Sequence, residues 1–246
     1  MSREALLEAI ARSIRRCRRC RLWQTRTHAV PGEANPYAEI IFIGEAPGRE
    51  EDRTGRPFQG MAGREFNELL GVAGLRREDI FVTGVNKCRP PHNRRPRRDE
   101  MDTCRRAHLD RQLAVIEPRL VVLLGGVAVE EMLGRTSLKG AVGRVIRRDG
   151  RRYFATYHPA ASMRFPGPKR DARRHFPRLP AVAAQEPASP PAPQVKPPAS
   201  ARNAARTRCK STPPARPRSR RPRTPTESRR SPRRAYCPAR GRSRRA

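Results

Sequence analysis

The sequence lacks any apolar run long enough to cross a membrane, and its N-terminus lacks the apolar segment of a signal peptide. These absences argue against membrane attachment and predict a cytoplasmic protein. Acidic residues are also scarce, because 23 Asp and Glu stand against 55 Lys and Arg, for a formal net charge of +32. Such an excess of positive charge indicates a polyanionic partner, and without a membrane signal we expect that partner to be nucleic acid.

Aromatic and acidic residues almost disappear after residue 176. Residues 177–246 contain 15 of the 26 prolines, and from residue 201 onward seventeen Lys or Arg accompany a single acid, Glu227. A segment of this composition cannot bury enough apolar surface to offset its chain entropy. We therefore predict a folded domain over residues 1–176 and a disordered basic tail over residues 177–246. The tail could bind DNA phosphates non-specifically, or its composition could simply follow from a GC-rich coding sequence.

The folded part alternates short apolar runs with helical patterns. Four runs have the length of buried strands, at residues 40–43, 80–85, 120–124 and 153–157. Apolar residues at helical spacing occur at residues 3–16, 62–72 and 99–116, with a shorter helix after residue 126. Strands separated by helices predict an α/β domain, with a parallel sheet covered by helices on both faces.

Chemistry in such folds gathers at the carboxyl ends of the strands. Glu45, Cys88 and His158 each follow a predicted strand directly. Phe58 lies a little farther along the acidic loop that begins at Glu45. Taken singly, each has a plain structural interpretation, since the loop acids could be solvated, Phe58 could be core and His158 could be a satisfied strand-end histidine.

Four cysteines indicate a metal centre. Cys17 and Cys20 have the spacing that lets neighbouring thiolates bind one ion or cluster, and Cys88 and Cys104 could complete the set. Cys104 is expected near the start of its helix, where the dipole favours the thiolate. From their spacing alone, the four cysteines could equally bind zinc or an iron-sulfur cluster. A third interpretation is that they are plain reduced thiols without a metal. The remaining two cysteines, in the tail, are expected to be free.

Three motifs in order, together with the cysteines, resemble the family four uracil-DNA glycosylases, the iron-sulfur type of bacteria and archaea. The first is Gly-Glu-Ala-Pro-Gly at 44–48, followed by Glu-Asp-x-x-Gly-Arg-Pro-Phe at 51–58. The second is Lys-Cys-Arg-Pro-Pro-x-Asn-Arg at 87–94, and the third is Tyr-His-Pro-Ala at 157–160. The resemblance covers about residues 1–176. It implies a central four-stranded parallel sheet flanked by helices, and a structural [4Fe-4S] cluster on the four cysteines.

The resemblance also implies a DNA repair enzyme that hydrolyses the glycosidic bond of uracil in DNA. A flipped uracil would stack on Phe58, with its edge against the backbone of Gly44 and Ala46. His158 would donate a hydrogen bond to the departing base, while Glu45 or Glu51 would position water and offset positive charge on the sugar. DNA contacts are expected from the three basic residues Arg94, Arg164 and His92. We expect a monomer.

One position departs from the family pattern. Many members have Asn four residues before the third cysteine, where it reads the uracil amide; this chain has Gly84 there and Asn86 two residues later. Asn86 is the expected replacement reader, or else a loop cap, and specificity could extend to other deaminated bases such as hypoxanthine. The alternative function is a protein that binds uracil-DNA, or captures it covalently through His92, without turnover.

Overall fold

The computed structural model of the chain describes residues 1–134 and 137–185. The greater part of the predicted basic tail therefore lies outside the described residues, as do the two tail cysteines. Within the described part, no helix is both long enough and apolar enough to traverse a bilayer.

One mixed sheet of six strands forms the centre of the fold. Its strands are β1 Glu33–Ala34, β2 Ile40–Gly44, β3 Phe81–Gly84, β4 Leu120–Leu124, β5 Val145–Arg148 and β6 Arg151–Thr156. The spatial order is β1-β3-β2-β4-β6-β5. The four central strands are parallel, and β1 and β5 pair antiparallel with β3 and β6 at the two edges. The four predicted parallel strands are confirmed, but the sheet has six strands rather than four.

The parallel strands are buried on both faces, which is why they read as continuous apolar runs. Alternate residues enter two separate cores: Ile41 and Ile43 of β2 belong to one, and Ile40 and Phe42 to the other. Helices cover both faces, with α1, α5 and α6 contributing to the first core and α3, α8 and α9 to the second. The sequence prediction of helices on both faces is confirmed.

Nine helices of regular α geometry occur in the described residues. They are α1 Arg3–Arg15, α2 Arg49–Thr54, α3 Met61–Val72, α4 Arg98–Cys104, α5 Asp110–Ile116, α6 Gly126–Leu133, α7 Pro159–Arg164, α8 Pro166–His175 and α9 Leu179–Ala184. The acidic loop predicted after β2 contains the short helix α2. The single helix predicted over residues 99–116 is instead α4 and α5 joined by a π-helical turn, Arg105–Leu109.

The packed structure continues past residue 176, where the sequence predicted the boundary of the folded domain. Leu179 and Ala183 of α9 are buried in the second core, and a short 3₁₀ turn, Phe176–Arg178, connects α8 to α9. The buried Arg152 of β6 donates to the main-chain oxygens of Val182, Ala183 and Gln185 at 2.7 to 3.1 Å. These bonds satisfy the carbonyls that the end of a helix leaves without partners. Composition gave no sign of α9, because this helix is short and rich in alanine and does not stand out from the tail.

Candidate active site

A cavity of about 460 Å³ opens at the carboxyl ends of β2, β3 and β6. Every sequence-predicted catalytic and base-binding residue lines it, together with two of the three predicted DNA contacts. They are Gly44, Glu45, Ala46, Glu51, Phe58, Asn86, Arg94, His158 and Arg164. The structure thus gathers at one edge of the sheet residues that lie more than a hundred positions apart in sequence.

Gly44, the last residue of β2, allows two aromatic rings to meet above the strand end. A Cβ atom at this position would lie 3.1 Å from Cζ of Phe58 and 3.6 Å from Nε2 of His158. The two rings stack with centroids 5.7 Å apart and planes inclined by 24°. A side chain at 44 would therefore press on the ring of Phe58, whereas its Cβ would be in ordinary van der Waals contact with His158.

His158 forms the N-cap of α7, and this position fixes the role of each ring nitrogen. Its Nδ1 accepts a hydrogen bond from the backbone N–H of Ala160 at 3.2 Å. A nitrogen that accepts carries no proton, so the neutral ring carries its proton on Nε2. Nε2 is the atom beside Gly44. Burial lowers the pKa of His158 to about 4, which keeps the imidazole neutral at pH 7. The ring thus presents an N–H donor to the cavity without carrying a charge.

Phe58 is held in an uncommon backbone conformation. Its φ angle is +53°, in the left-handed region, where a bulky residue needs support from its surroundings. Support comes from Arg77, which donates to the carbonyl oxygen of Pro57 and is itself paired with Glu33 at 3.0 Å. Gly63 of α3 completes the fit, because a Cβ there would lie 2.0 Å from the carbonyl oxygen of Phe58. This support could not be predicted from sequence pattern, since Arg77 and Glu33 are 44 residues apart.

The two candidate carboxylates differ in how they are used. Glu51 accepts three backbone N–H groups, from Gly48 at 3.0 Å, Gln59 at 2.8 Å and Gly60 at 3.2 Å. It therefore ties the turn before α2 to the turn before α3. The partly buried Glu45 carboxylate has no hydrogen-bond partner among the described residues and faces the cavity. Burial raises the pKa of Glu45 above its usual value, an effect that the charge of Arg95 partly offsets.

Asn86 is 1% exposed and sits just beyond the end of β3. Its Nδ2 donates to the main-chain oxygen of Glu100 at 2.9 Å, which fixes the orientation of the amide. Its Oδ1 has no partner in the described part of the chain, although the residue lines the cavity. One end of the Asn86 amide therefore caps the loop, and the other end is a buried acceptor without a donor in the described residues; its reading of the base stays a prediction.

Two of the three predicted DNA contacts lie at the cavity. Arg94 lines it and pairs with Glu100 through both guanidinium nitrogens, at 2.7 and 2.9 Å. Arg164, at the end of α7, lines it as an exposed side chain. His92 is exposed in the loop after β3 and is not part of the cavity wall.

The four predicted metal-binding cysteines line a second, smaller cavity between α1, the loop after β3, and α4. Cys88 and Cys104 are 6% and 7% exposed, and none of the four forms a disulfide. In the described residues, no three potential ligands converge as they would around one metal ion.

Donors already point at two of these sulfurs. The guanidinium of Arg26 donates to Sγ of Cys88 at 2.9 Å, and the backbone N–H of Lys87 donates to Sγ of Cys104 at 3.3 Å. The prediction that a helix start lowers the pKa of Cys104 is wrong, because Cys104 ends α4 and burial raises the pKa of its thiol to about 12. Such a buried thiol ionises only with a cation beside it, which suits a metal ligand.

Sequence reasoning missed two buried residues beside these cavities. Lys87 extends its amine to Thr83, Gly84 and Gln112 at 2.5 to 2.8 Å and so fixes the end of β3. His108 lines the cysteine cavity. Its position four residues after Cys104, one helical turn along, is the signal that could have identified it.

The chain is similar to known proteins over most of its described length. A family model described as "Uracil DNA glycosylase superfamily" matches residues 31–177. The chain is 39% identical over 185 residues to a type-4 uracil-DNA glycosylase of Sulfurisphaera tokodaii, an alignment that covers 70% of this chain and 83% of that protein. It is 42% identical over 182 residues to the type-4 uracil-DNA glycosylase of Archaeoglobus fulgidus, which covers 70% of this chain and 91% of the relative. A Thermotoga maritima protein of the same name is 39% identical over 166 residues, which are 66% of this chain and 86% of the relative.

Proposed function

Since this chain belongs to the type-4 family of the uracil DNA glycosylase superfamily, we propose that it removes uracil from DNA and leaves an abasic site. The observation that carries the proposal is the neutral His158, whose Nε2–H faces the cavity beside Phe58. A donor of this kind stabilises an oxygen that becomes negative as the base departs, and it does so without a proton transfer.

Binding of the base comes first. Uracil leaves the helical stack and enters the cavity, where the ring of Phe58, seated against Gly44, offers an apolar face. Oδ1 of Asn86 accepts the N3–H of uracil. Cytosine has no hydrogen on N3 and would leave Oδ1 facing a lone pair. Leaving a buried polar group unpaired costs about 1–3 kcal/mol, so the contact discriminates against cytosine.

Bond cleavage follows. The electron pair of the bond between C1′ and N1 stays with uracil, and negative charge grows on its ring oxygens. His158 donates from Nε2 to the nearest of them, while its other nitrogen is held by Ala160. Burial keeps the pKa of His158 at about 4, so the imidazole stays neutral at pH 7. It therefore acts as a neutral hydrogen-bond donor throughout the step.

Water then attacks C1′ of the positively charged sugar. Glu45 is the carboxylate available to orient that water, accept its proton and offset the positive charge, since its oxygens have no hydrogen-bond partner among the described residues. Glu51 keeps the turns around Phe58 in place through its three backbone bonds and adds negative charge to the same wall. We assign the catalytic carboxylate to Glu45 and a positioning role to Glu51.

The cysteine cavity suits a [4Fe-4S] cluster held by Cys17, Cys20, Cys88 and Cys104. The fit rests on four sulfur atoms around one buried space, with N–H donors from Arg26 and Lys87 directed at two of them. When bound, the cluster supplies a covalent cross-link between the N-terminal helix and the segment that carries Asn86. The residues themselves take no part in breaking the glycosidic bond.

DNA is held by positive charge around the cavity. Arg164 at the rim and Arg94 on the wall are positioned to meet phosphates that flank the extruded nucleotide. Arg94 keeps its pairing with Glu100, so its contact with DNA would add to an existing ion pair. A monomer would be sufficient for this mechanism, since every residue named in it comes from one chain.

A broader base specificity is the second candidate, and Asn86 supports it. A single acceptor on the wall takes the N1–H of hypoxanthine as readily as the N3–H of uracil, because both are amide N–H groups. The covalent capture considered from the sequence receives no comparable support, since His92 is exposed and outside the cavity wall.

The test is a panel of oligonucleotides that contain uracil opposite guanine, uracil opposite adenine, single-stranded uracil or hypoxanthine, each incubated with the full-length protein. Alkali-labile abasic product from the uracil substrates supports the proposal, and product from hypoxanthine extends it. A heat-stable adduct without abasic product would show that the protein captures its substrate covalently and does not turn over. A salt-sensitive gel shift without either would leave only a binding protein, and the proposed function would then be wrong.

A further inference from the structure

His108 is a buried histidine without any hydrogen-bond partner in the described residues. It is 2% exposed, and both Nδ1 and Nε2 are inaccessible to solvent and unpaired. Burying a polar group without a partner costs about 1–3 kcal/mol, so native structures seldom leave one in this state. An unpaired imidazole in the interior therefore points to a partner that the polypeptide itself does not supply.

The location of the ring narrows what that partner is. His108 lies in the π-helical turn directly after Cys104, and its side chain lines the same small cavity as the four cysteines. π-Turns are rare and concentrate at functional sites. Besides the cysteines, the polar side chains of the cavity wall are Arg19, Lys87 and Trp23, which only donate, and Thr103, whose hydroxyl is the one acceptor among them that is not sulfur. The acceptors on offer around this ring are therefore mainly sulfur atoms.

We propose that His108 donates an N–H hydrogen bond to a sulfur of the [4Fe-4S] cluster, either an inorganic sulfide or a cysteine Sγ. This inference rests on the cluster proposed above. Imidazole carries at least one N–H in either protonation state, so the interaction does not depend on pH over the working range. His108 is a positioning residue for the cluster and takes no part in the reaction at the sugar.

The bond would complete a set of donors around the cluster. Arg26 already donates to Cys88 and the Lys87 backbone to Cys104. Hydrogen bonds to cluster sulfur stabilise the more negative, reduced state and thereby raise the reduction potential. Partners around the ligands also slow metal loss, and removing one commonly weakens metal binding by about 10–100-fold.

The experiment compares two kinds of replacement in the full-length protein. His108→Leu fills the space without a donor, whereas His108→Gln and His108→Asn retain an N–H near the positions of Nε2 and Nδ1. His175→Leu is the control, because His175 bonds to Thr156 and does not line the cysteine cavity. Iron and sulfide content is measured first, then the rate of cluster loss to a chelator and the midpoint potential of the cluster.

We expect His108→Leu to lose its cluster about tenfold faster than wild type and to show a more negative potential. One of the two amide variants should recover both values, and His175→Leu should match wild type. Wild-type values in His108→Leu would overturn the hydrogen bond. A wild-type protein without iron and sulfide would instead overturn the cluster itself, so the two failures are distinguishable.

A spectroscopic measurement on wild-type protein covers the case in which His108→Leu does not fold. With ¹⁵N-labelled histidine, pulsed electron paramagnetic resonance of the reduced cluster should detect one weakly coupled nitrogen. Strong coupling, as from a nitrogen bound directly to iron, would show that His108 is an iron ligand and would overturn the hydrogen bond. Absence of any nitrogen coupling would overturn the inference.

Discussion

The active-site cavity and the cysteine cavity lie on two sides of one short segment, Asn86 to Cys88, yet they treat polar groups differently. At the wide cavity, the buried Oδ1 of Asn86 and the carboxylate of Glu45 have no hydrogen-bond donor among the described residues. In the narrow cavity, the sulfurs of Cys88 and Cys104 already meet N–H groups, although the ring of His108 has no partner there in the described residues. A site that exchanges its ligand keeps its recognition groups unpaired. A site that holds its ligand permanently surrounds it with fixed donors.

The segment itself explains how one stretch of chain can serve both purposes. Lys87 anchors the strand end through three hydrogen bonds of its buried amine, while Asn86 before it lines the active-site cavity and Cys88 after it lines the cysteine cavity. Damage on the cysteine side should therefore reach the active site through the backbone, whereas damage to the active-site side chains should leave the cluster intact. The following predictions test this asymmetry.

The largest effect on activity is expected from His158→Ala. Removing one preorganised donor from a developing oxyanion typically costs about 10²–10³ in kcat. Single-turnover cleavage of uracil-containing duplex measures the loss, and visible absorbance of the cluster should remain at the wild-type value. His28→Ala, at an exposed histidine outside the cavity, is the control. Activity within a few fold of wild type would remove the leaving-group role of His158.

Cys88→Ser should have the opposite signature, with the primary loss at the cluster. The serine hydroxyl does not replace a thiolate, so the purified protein should lose most of its iron and melt at lower temperature. Activity should fall as a consequence, because Asn86 is two residues away on the same backbone. Iron analysis and thermal denaturation test this, with Cys209→Ser as the matched substitution outside the motif. Full iron content in Cys88→Ser would contradict ligation.

Substitutions of Glu45 and Glu51 should change the pH dependence of activity in different ways. Glu45→Gln should lower kcat by about a hundredfold, the usual contribution of a positioned base. In wild type, activity should first fall with acidification as Glu45 is protonated, because its pKa is raised, and His158 stays neutral down to about pH 4. Glu45→Gln should therefore lose the upper of the two acid transitions and retain the lower one.

Glu51→Gln is the control for that experiment. Gln keeps an oxygen for Gln59 and Gly60 but turns an N–H₂ group toward the N–H of Gly48, so it should cost about 2 kcal/mol of stability. Its pH profile should keep both transitions. If Glu51→Gln instead removes the upper transition, the two roles are exchanged.

Substitutions at Asn86 should have smaller effects that depend on the base. Asn86→Ala should reduce kcat/KM on uracil by about tenfold, the value of one buried hydrogen bond. The double variant Gly84→Asn with Asn86→Val returns the reading amide to its usual family position. We expect it to regain uracil cleavage. A Cβ at 84 would lie 3.0 Å from the main-chain oxygen of Asn86, so the backbone must shift slightly to admit it. Equal cleavage of uracil by wild type and Asn86→Ala would contradict the reading role.

Much of the fold follows from local pattern. The four parallel strands are apolar on both faces, so their runs stand out in the sequence, and the predicted family is confirmed by the superfamily model and the type-4 relatives. The edge strands β1 and β5 were missed because they are two and four residues long and mostly exposed, without apolar alternation. The π-turn at 105–109 was missed because it leaves the apolar helical spacing almost unchanged.

The sequence predicted which residues line the cavity better than it predicted which partners they contact. Motif residues such as Glu45, Phe58 and His158 could be placed together because parallel strands end at one edge. The partners that decide their roles come from distant segments, and spacing carries no information about them. The backbone bonds of Glu51, the Arg77 support of Phe58 and the unpaired ring of His108 all belong to this class.

The smallest effect on catalysis is expected from truncation after Gln185. Both cavities are built from residues before this point, so cleavage at low salt should be unchanged and the cluster retained. This truncation removes the basic tail, which is rich in Lys and Arg and has few acidic residues. DNA binding should therefore weaken at moderate salt, with a shallower dependence of log Kd on log salt concentration.

Truncation after Phe176 is the informative comparison, because it also removes Leu179 and the carbonyl partners of the buried Arg152. That shorter protein should melt at a lower temperature even without DNA. Equal melting of the two truncations would place the end of the folded domain at residue 176 after all.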